Sequence, residues 1–206
     1  MDTTFVSPGS IVGPALSWLN VHYHHVFVNI ATFFTAGVSS IVWALTLVPA
    51  PFVIGILAIA ALVVSGWRMG VLTALGLSLC ALLGMWDATL QTIALVVLSV
   101  LISISFGMPI GILVSRSERL QSLIRPILDI MQTLPPWVYL VPAVILFGLG
   151  TVPALISTIV YGIAPMVRLT ILAMTQIPQE RIELGKAIGV TKLELLKKIE
   201  LPSALP

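Results

Sequence analysis

The sequence predicts an all-α, polytopic membrane protein. Only 9% of its 206 residues are charged, while 58% are hydrophobic, whereas soluble domains average about 25% charged residues. The apolar residues occur in long runs that are separated by short polar or proline-containing segments. Because so few charges cannot cover a water-facing surface, we expect several of these runs to be helices in a bilayer.

The composition also argues against several functions. The formal net charge is +2, and its cations are spread over loops, so no nucleic-acid partner is expected. The single Cys80 excludes a disulfide within the chain. His22, His24 and His25 would need further converging ligands, so no metal site or other cofactor is predicted. No Ser/His/Asp grouping or glycine-rich phosphate loop indicates an enzyme, and any ATP must therefore be handled by another chain.

Residues 1–50 are expected to contain a tail (1–25) followed by a weakly amphipathic helix (26–47). Polar residues recur along one side of that helix, a pattern that fits either a span or a helix lying at the membrane interface. No Lys or Arg precedes Arg68. Since cations favour the cytoplasmic side, we expect an external N-terminus and an interfacial helix.

Residues 51–86 are predicted to form a hairpin of two short transmembrane helices. The apolar runs 51–66 and 69–85 are near the lower limit of the roughly 17–25 residues that cross a bilayer. Arg68 would lie at the tip of the hairpin. A single long helix is the alternative, but it would place Arg68 at mid-depth and cost several kcal/mol.

The segment 87–206 is predicted to be the transport core, and its longest apolar run is 88–114. In this run Gly107 and Gly111 form a G-x-x-x-G pair around Pro109. The pair suits close helix packing and a kink, and a lipid-facing helix is the alternative.

A polar loop (115–130) is expected to lead into the apolar stretch 131–149, and the last span is expected at 152–175. Prolines in a membrane helix free backbone carbonyls, which need neighbours or a water-filled cavity, so the stretch 131–149 predicts a pathway-lining segment. Its aromatic residues have interfacial anchoring as an alternative role. Arg168 fits either a pathway charge or an anchor that extends towards the interface. The pathway-lining candidates are Pro135, Pro136, Trp137, Tyr139, Pro142, Pro165 and Arg168.

The residues 178–202 predict a polar hairpin of two short helices. Pro178 suits a first helical position, Gln179 to Ile188 can form one helix, and Gly189 ends it. Thr191 and Glu194 form a capping-box pattern that begins a second helix. In that helix the apolar positions 193, 196 and 199 should lie on one face, and the proline at 202 should end it.

This terminal hairpin resembles the E-A-A…G…I-x-L-P loop of binding-protein-dependent ABC importer permeases. Glu183, Gly189 and Ile199-Glu200-Leu201-Pro202 match the pattern, while Leu184 and Gly185 replace its two alanines. The resemblance implies a cytoplasmic loop that docks on an ATPase subunit. The residues assigned to this coupling loop are Glu183, Gly185, Ala187, Gly189, Thr191, Leu196, Ile199, Leu201 and Pro202.

Further segments are similar to the permease subunit of glycine betaine/proline betaine importers, and the likeness covers roughly residues 50–206. The segments are 123–135, 138–142, 146–148 and 164–170. The resemblance implies a type I ABC importer transmembrane fold in the cell inner membrane. It also implies a homodimer, a cytoplasmic ATP-binding subunit and an extracytoplasmic substrate-binding protein. Such permeases continue beyond this loop, so a C-terminally truncated core is expected.

Other functions remain open at this level. A permease of the same class could carry methionine, taurine or nitrate instead of a quaternary amine. An ion-coupled secondary transporter or channel is a less favoured alternative, because it would need polar or acidic residues at mid-membrane. Asp87 and Asp129 lie near span ends instead. The cations of the loops should all face the cytoplasm.

Overall fold

The computed structural model describes residues 8–204, and for residues 8–12, Lys186 and Lys192 it describes the backbone alone. Nearly all of this part of the chain is helical, and residues 8–204 contain no β-strand. The predicted all-α class is therefore confirmed. The helices are α1 (Pro8–Thr46), α2 (Ala50–Ser65), α3 (Trp67–Leu82), α4 (Trp86–Ser115), α5 (Glu118–Thr133), α6 (Trp137–Phe147), α7 (Thr151–Thr175), α8 (Gln179–Ala187), α9 (Lys192–Glu194), a π-helical turn (Leu195–Glu200) and α10 (Leu201–Ala204).

Three of the described helices are long and apolar enough to cross a membrane. They are α1 over Gly13–Thr46, α4 and α7, with 34, 30 and 25 residues. Counting α5 and α6 as one broken span would give a fourth. The helices α2 and α3 have 16 residues each, which is slightly below the length that usually spans a bilayer. The multi-pass prediction is confirmed by these lengths and compositions.

The chain divides into two compact units. The first runs to Leu98 and includes Leu140–Ile156, and the second comprises Ser99–Tyr139 together with the described residues from Ser157 onwards. The predicted boundaries at residues 50 and 86 stay predictions.

In the first unit, α1 begins much earlier than expected. Residues 8–25 of the predicted tail are helical, and residues 1–7 lie outside the described residues. Tyr23 has non-helical geometry, with φ −119° and ψ 23°, and marks a kink that joins two helical segments within α1. The Asn20 side-chain amide donates to the Ile145 carbonyl at 2.8 Å, and Phe27 packs edge-to-face on Phe147. These distant contacts stabilise a helix that local periodicity did not indicate.

The predicted hairpin of α2 and α3 is present, with Gly66 between the two helices. Gly66 has a φ of +89°, which favours glycine because it lacks a Cβ atom. Gly70 is buried against α2, where an added Cβ would lie 2.7 Å from the Leu62 Cβ. Arg68 lies in the first turn of α3, next to the tip, and its guanidinium is 5.8 Å from the centroid of the Trp67 ring.

In the second unit, the glycine pair of α4 packs tightly against α7. A Cβ atom at Gly107 would lie 2.9 Å from the Met166 Cβ, and one at Gly111 would lie 2.5 Å from the Thr170 Cβ. The structure therefore favours the helix-contact interpretation of the G-x-x-x-G pair over a lipid-facing helix. The buried core beside this contact consists of Val114, Leu128, Ala164, Val167 and Ile171.

The prediction of a polar loop over residues 115–130 is wrong, because α5 begins at Glu118. Ser117 has extended backbone geometry before the helix, and Glu118 lies in the first turn, where a negative charge is favoured. Leu128 faces the core, so the charged residues occupy the other sides of an amphipathic helix. The helix ends before Leu134, whose backbone is extended, because a residue that precedes proline is disfavoured in helical geometry.

Candidate functional site

The first helix of the terminal loop and its termination agree with the prediction. The helix α8 spans Gln179–Ala187, one residue shorter than expected and starting just after Pro178. Gly189 has a φ of +80°. The amide of Val190 donates to the Gly185 carbonyl at 3.4 Å, as in the Schellman arrangement that often ends helices. A left-handed glycine therefore makes the turn between the two helical parts of the loop.

The predicted capping box is also present. The Glu194 amide donates to the Thr191 hydroxyl oxygen at 3.3 Å, and the Glu194 Oε2 accepts from the Thr191 amide at 3.1 Å. Lys198 donates to the Glu194 Oε1 at 3.0 Å. The hydrogen bond from Lys198, followed by those from Thr191, lowers the pKa of Glu194 to about 2. The carboxylate is thus charged, and it fixes the start of the second helical part.

Gly185 is the point of closest contact between the two parts of the loop. A Cβ atom there would lie 2.5 Å from the Leu195 Cδ1 and 2.6 Å from the Ile199 Cδ1. Leu184, the bulkier replacement in the family pattern, is 62% exposed and points away from this contact. The substitution of the two alanines therefore leaves the close approach of the helices intact.

The second helical part differs from the predicted amphipathic helix. Leu193 is 63% exposed, while Leu195 and Glu200 are buried. The cause is the π-helical turn Leu195–Glu200, in which hydrogen bonds join residues five apart and shift the register of the faces. The expectation that residues 193, 196 and 199 share one face is wrong for Leu193 for this reason.

Pro202 does not end the helix as predicted. It lies inside α10, which spans Leu201–Ala204. Helical residues precede this proline without a gap, so its missing N–H removes a bond from a continuous helical segment. The change from π-helical to α-helical geometry falls just before this proline.

The far end of the loop is joined to the end of α4 by an ion pair whose carboxylate is buried. The Arg116 Nη1 donates to the Glu200 Oε1 at 2.7 Å, and Arg116 Nη2 donates to the other carboxylate oxygen. The Glu200 side chain is 1% exposed, whereas the Arg116 side chain is 47% exposed. The hydrogen bond to Glu200 raises the pKa of Arg116 above its ordinary value. This bidentate geometry is the strong, directional form of an ion pair.

The other predicted coupling residues are divided between the surface and the interior of the loop. Their exposure gives the loop an accessible side on which another protein could dock, and an inner side that packs on itself. The exposed residues are Glu183, Ala187, Gly189, Thr191 and Pro202. The half-buried residues are Leu196, Ile199 and Leu201.

The predicted pathway residues around the break between α5 and α6 are largely exposed. Pro135 and Pro136 lie in the break itself, and Trp137 is 72% exposed. Tyr139 is half-buried, and its hydroxyl donates to the Met131 carbonyl at 2.9 Å. This bond satisfies a carbonyl of the last turn of α5. Tyr139 therefore has a structural contact in addition to any role in a pathway.

The remaining pathway candidates lie within helices. Pro142 is half-buried in α6, and Pro165 is half-buried in α7. Arg168 of α7 forms an ion pair with Asp129 of α5, and both side chains are about half exposed. The two residues line a pocket of about 330 Å³ together with Arg125. Arg168 is thus held by a carboxylate, a partner that the sequence interpretation did not assign.

The ion pair between Arg116 and Glu200 was not predicted from the sequence. Glu200 was visible only as the variable position of the I-x-L-P pattern, and Arg116 as one of several loop cations. One signal was available: a carboxylate between Ile199 and Leu201 in a segment with regular apolar spacing. The 84 positions that separate the partners hid the pairing from any local pattern.

Comparison with known proteins adds a family match in this part of the chain. Residues 103–206 match the family described as binding-protein-dependent transport system inner membrane component. The match begins in the second half of α4 and includes the entire terminal loop.

The chain is also similar to named transport proteins along most of its length. It is 37% identical over 203 residues to the glycine betaine/proline betaine transport system permease protein ProW of Escherichia coli (strain K12), covering 98% of this chain and 57% of that protein. It is 38% identical over 194 residues to the glycine betaine transport system permease protein OpuAB of Bacillus subtilis (strain 168), covering 94% and 69%. It is 33% identical over 201 residues to the glycine betaine/carnitine transport permease protein GbuB of Listeria monocytogenes serotype 1/2a (strain 10403S), covering 93% and 71%. These relatives are transport permeases rather than enzymes, and the chain spans just over half the length of the first.

Proposed function

The chain belongs to the family of binding-protein-dependent transport system inner membrane components, and we propose that it is the transmembrane permease subunit of an ATP-driven importer. In this proposal, the permease forms the translocation pathway, and a separate cytoplasmic subunit binds and hydrolyses ATP. An extracytoplasmic binding protein delivers the substrate. Two copies of the permease form the pore within the bilayer.

The observation that carries the proposal is the construction of the terminal loop. Its two helical parts are in close contact at Gly185, and its turn is set by Gly189. The loop continues directly from α7 through the buried Ile177. A loop that is packed internally and attached to a span can transmit a displacement of its exposed side to that span. An ATPase-coupling element must do the same.

The proposed mechanism follows from this attachment. Closure of the ATPase subunits on ATP would displace the exposed side of the loop, and the loop would move α7 with it. Because α4 and α7 interlock at Gly107 and Gly111, the two helices would move together in this region. Such movements would alternate the access of the pathway between the two sides of the membrane.

We propose that the substrate is a compatible solute with a quaternary ammonium group, such as glycine betaine, proline betaine or choline. The support comes from the similarity to permeases that are named for glycine betaine. Aromatic rings can hold such a cation, and Trp137 and Tyr139 are the aromatic residues of the proposed pathway segment. The binding protein would supply most of the substrate selectivity. The alternative substrates for a permease of the same class are methionine, taurine and nitrate.

The proposal is tested in cells that lack other betaine uptake systems. The chain is expressed with an affinity tag together with the ATPase subunit and binding protein of its own transport system. We expect ATP-dependent uptake of radiolabelled glycine betaine and copurification of the ATPase subunit with the tag. Uptake that continues without the ATPase subunit, or a purified chain that retains no ATPase, would contradict the proposal.

A further inference from the structure

The terminal loop is attached to the spans at two places. Its near end continues from α7 through Ile177, which is buried. Its far end is attached by the ion pair between Glu200 and Arg116, and Arg116 immediately follows the last residue of α4. The first attachment is covalent, and the second depends on two side chains.

The ion pair differs from the other ion pairs in the described part of the chain. The pairs Arg168–Asp129 and Lys198–Glu194 have both partners at least 40% exposed, whereas the Glu200 side chain is 1% exposed. A buried carboxylate is strongly disfavoured unless it is paired and hydrogen-bonded. Both oxygens of Glu200 accept from the Arg116 guanidinium, so the pair can form only over a narrow range of orientations.

The π-helical turn is what places Glu200 in this position. Leu195 and Glu200 are five residues apart and both are buried. In a π-helical turn residues five apart lie on the same face, whereas an α-helix would turn one of them away. Leu195 also contacts Gly185 of α8. One face of the turn therefore holds the loop together and connects the loop to α4.

Stability alone does not explain this arrangement. Apolar residues of similar size in place of a buried ion pair often leave stability unchanged or increase it. An apolar contact is not directional, however, and it permits sliding. A bidentate ion pair fixes the orientation of the two groups that it joins.

We propose that Arg116 and Glu200 are positioning residues for transport: their ion pair ties the far end of the coupling loop to the end of α4, so that movement of the loop displaces α4 as well as α7. The inference rests on the proposed function. Without the pair, the loop would pivot on its connection to α7, and each ATP hydrolysed would move the spans less effectively.

The test uses the chain with its ATPase subunit, reconstituted in liposomes with the binding protein and glycine betaine outside and ATP inside. Uptake and ATP hydrolysis are measured together, and their ratio is compared among Arg116→Glu, Glu200→Arg and the double exchange. We expect each single variant to lower the uptake per ATP by about tenfold or more, since it places like charges together in a buried site. The double exchange should recover most of the ratio, because it restores opposite charges.

A matched control is Arg119→Gln in α5, which removes an exposed cation just after Arg116 and outside the loop. This variant changes neither the ion pair nor the loop, so it should keep the ratio of the unchanged chain. Copurification of the ATPase subunit should be unaffected in all variants, because the exposed docking side is intact. A purely structural role would instead reduce assembly and leave the ratio of the assembled fraction unchanged, and that result would overturn the inference.

If the charge-reversal variants are not recovered from the membrane, two milder variants test whether coupling needs the ion pair. Glu200→Gln removes the charge at nearly constant shape, and Arg116→Lys keeps the charge but loses the forked geometry. Both should lower the uptake per ATP, the first more than the second. If the unchanged chain transports glycine betaine and these variants keep its uptake per ATP, the inference is wrong but the proposed function stands. If the unchanged chain shows no ATP-driven uptake, the proposed function is wrong and the inference falls with it.

Discussion

Gly111 of α4 and Thr170 of α7 are in such close contact that no side chain fits between them. A Cβ atom at Gly111 would lie 2.5 Å from the Thr170 Cβ and 3.0 Å from the Val167 carbonyl oxygen. The Val167 carbonyl oxygen belongs to the backbone, so it cannot move aside as the end of a flexible side chain can. This contact is the fixed point between the two spans that the proposed mechanism moves together.

The first prediction concerns this contact. Gly111→Ala should lower the free energy of unfolding by about 1–3 kcal/mol, because the added methyl group overpacks the helix interface. Thermal denaturation of the purified protein in detergent measures the effect. Gly76→Ala in α3 is the matched control, since a Cβ atom there meets nothing within 4 Å. Equal melting temperatures for the two variants would contradict the predicted packing.

A second prediction concerns the contact at Gly185 within the loop. Gly185→Ala should keep most of the uptake, because the nearest atoms are the ends of the flexible Leu195 and Ile199 side chains. Gly185→Phe should abolish uptake, because a ring would force α8 away from the π-helical turn. Leu184→Ala is the control, since Leu184 is exposed. Uptake by Gly185→Phe at the level of that control would show that the contact is dispensable.

A third prediction concerns the turn at Gly189. Gly189→Pro should abolish the coupling of ATP hydrolysis to uptake without preventing membrane insertion, because proline cannot adopt the φ of +80° found there. Gly189→Asn should retain much of the coupling, since asparagine tolerates left-handed geometry better than other residues. Insertion is followed by immunoblotting of membranes, and coupling by uptake per ATP. Normal ATP-linked uptake by Gly189→Pro would count against the proposed role of the loop.

A fourth prediction concerns pH. Hydrogen bonds from Lys198 and then Thr191 lower the pKa of Glu194 to about 2, whereas an unfolded glutamate titrates near about 4.3. The stabilisation by the charged cap is therefore complete above the unfolded value and is lost as the pH falls towards 2. Titration of Glu194 should therefore leave the stability of the loop unchanged between about pH 5 and pH 8.

NMR titration of the labelled glutamate carboxyl carbons should give a midpoint for Glu194 far below the ordinary value, and Lys198→Ala should raise that midpoint. An ordinary midpoint in the unchanged chain would contradict the capping geometry.

The sequence was sufficient to predict the features that depend on local spacing. The all-α class, the turn at Gly189 and the capping box of Thr191 and Glu194 depend on neighbouring residues and on hydrophobic runs. The features that it did not predict depend on distant contacts. The helix over residues 8–25 is supported by Asn20 and its bond to Ile145, and the burial of Glu200 requires Arg116.

The π-helical turn is a further feature that periodicity could not predict. The α-helical spacing predicts that Leu193, Leu196 and Ile199 lie on one face, whereas in the structure Leu193 is exposed and Leu195 is buried. One inserted residue per turn shifts every later side chain, and nothing in the local sequence marks where that shift occurs. The contacts of Leu195 with Gly185, and of Glu200 with Arg116, determine the register.

The central claim is that the terminal loop faces the cytoplasm and binds the ATPase subunit there. It is tested most directly by labelling Lys197→Cys with a membrane-impermeant maleimide, in a background in which Cys80 is replaced by Ser. Lys197 is exposed, so its replacement should be accessible unless a membrane or partner covers it. We predict no labelling in intact cells, rapid labelling in inverted membrane vesicles stripped of the ATPase, and slower labelling when the ATPase subunit is restored. Labelling of this position from outside intact cells would contradict the account.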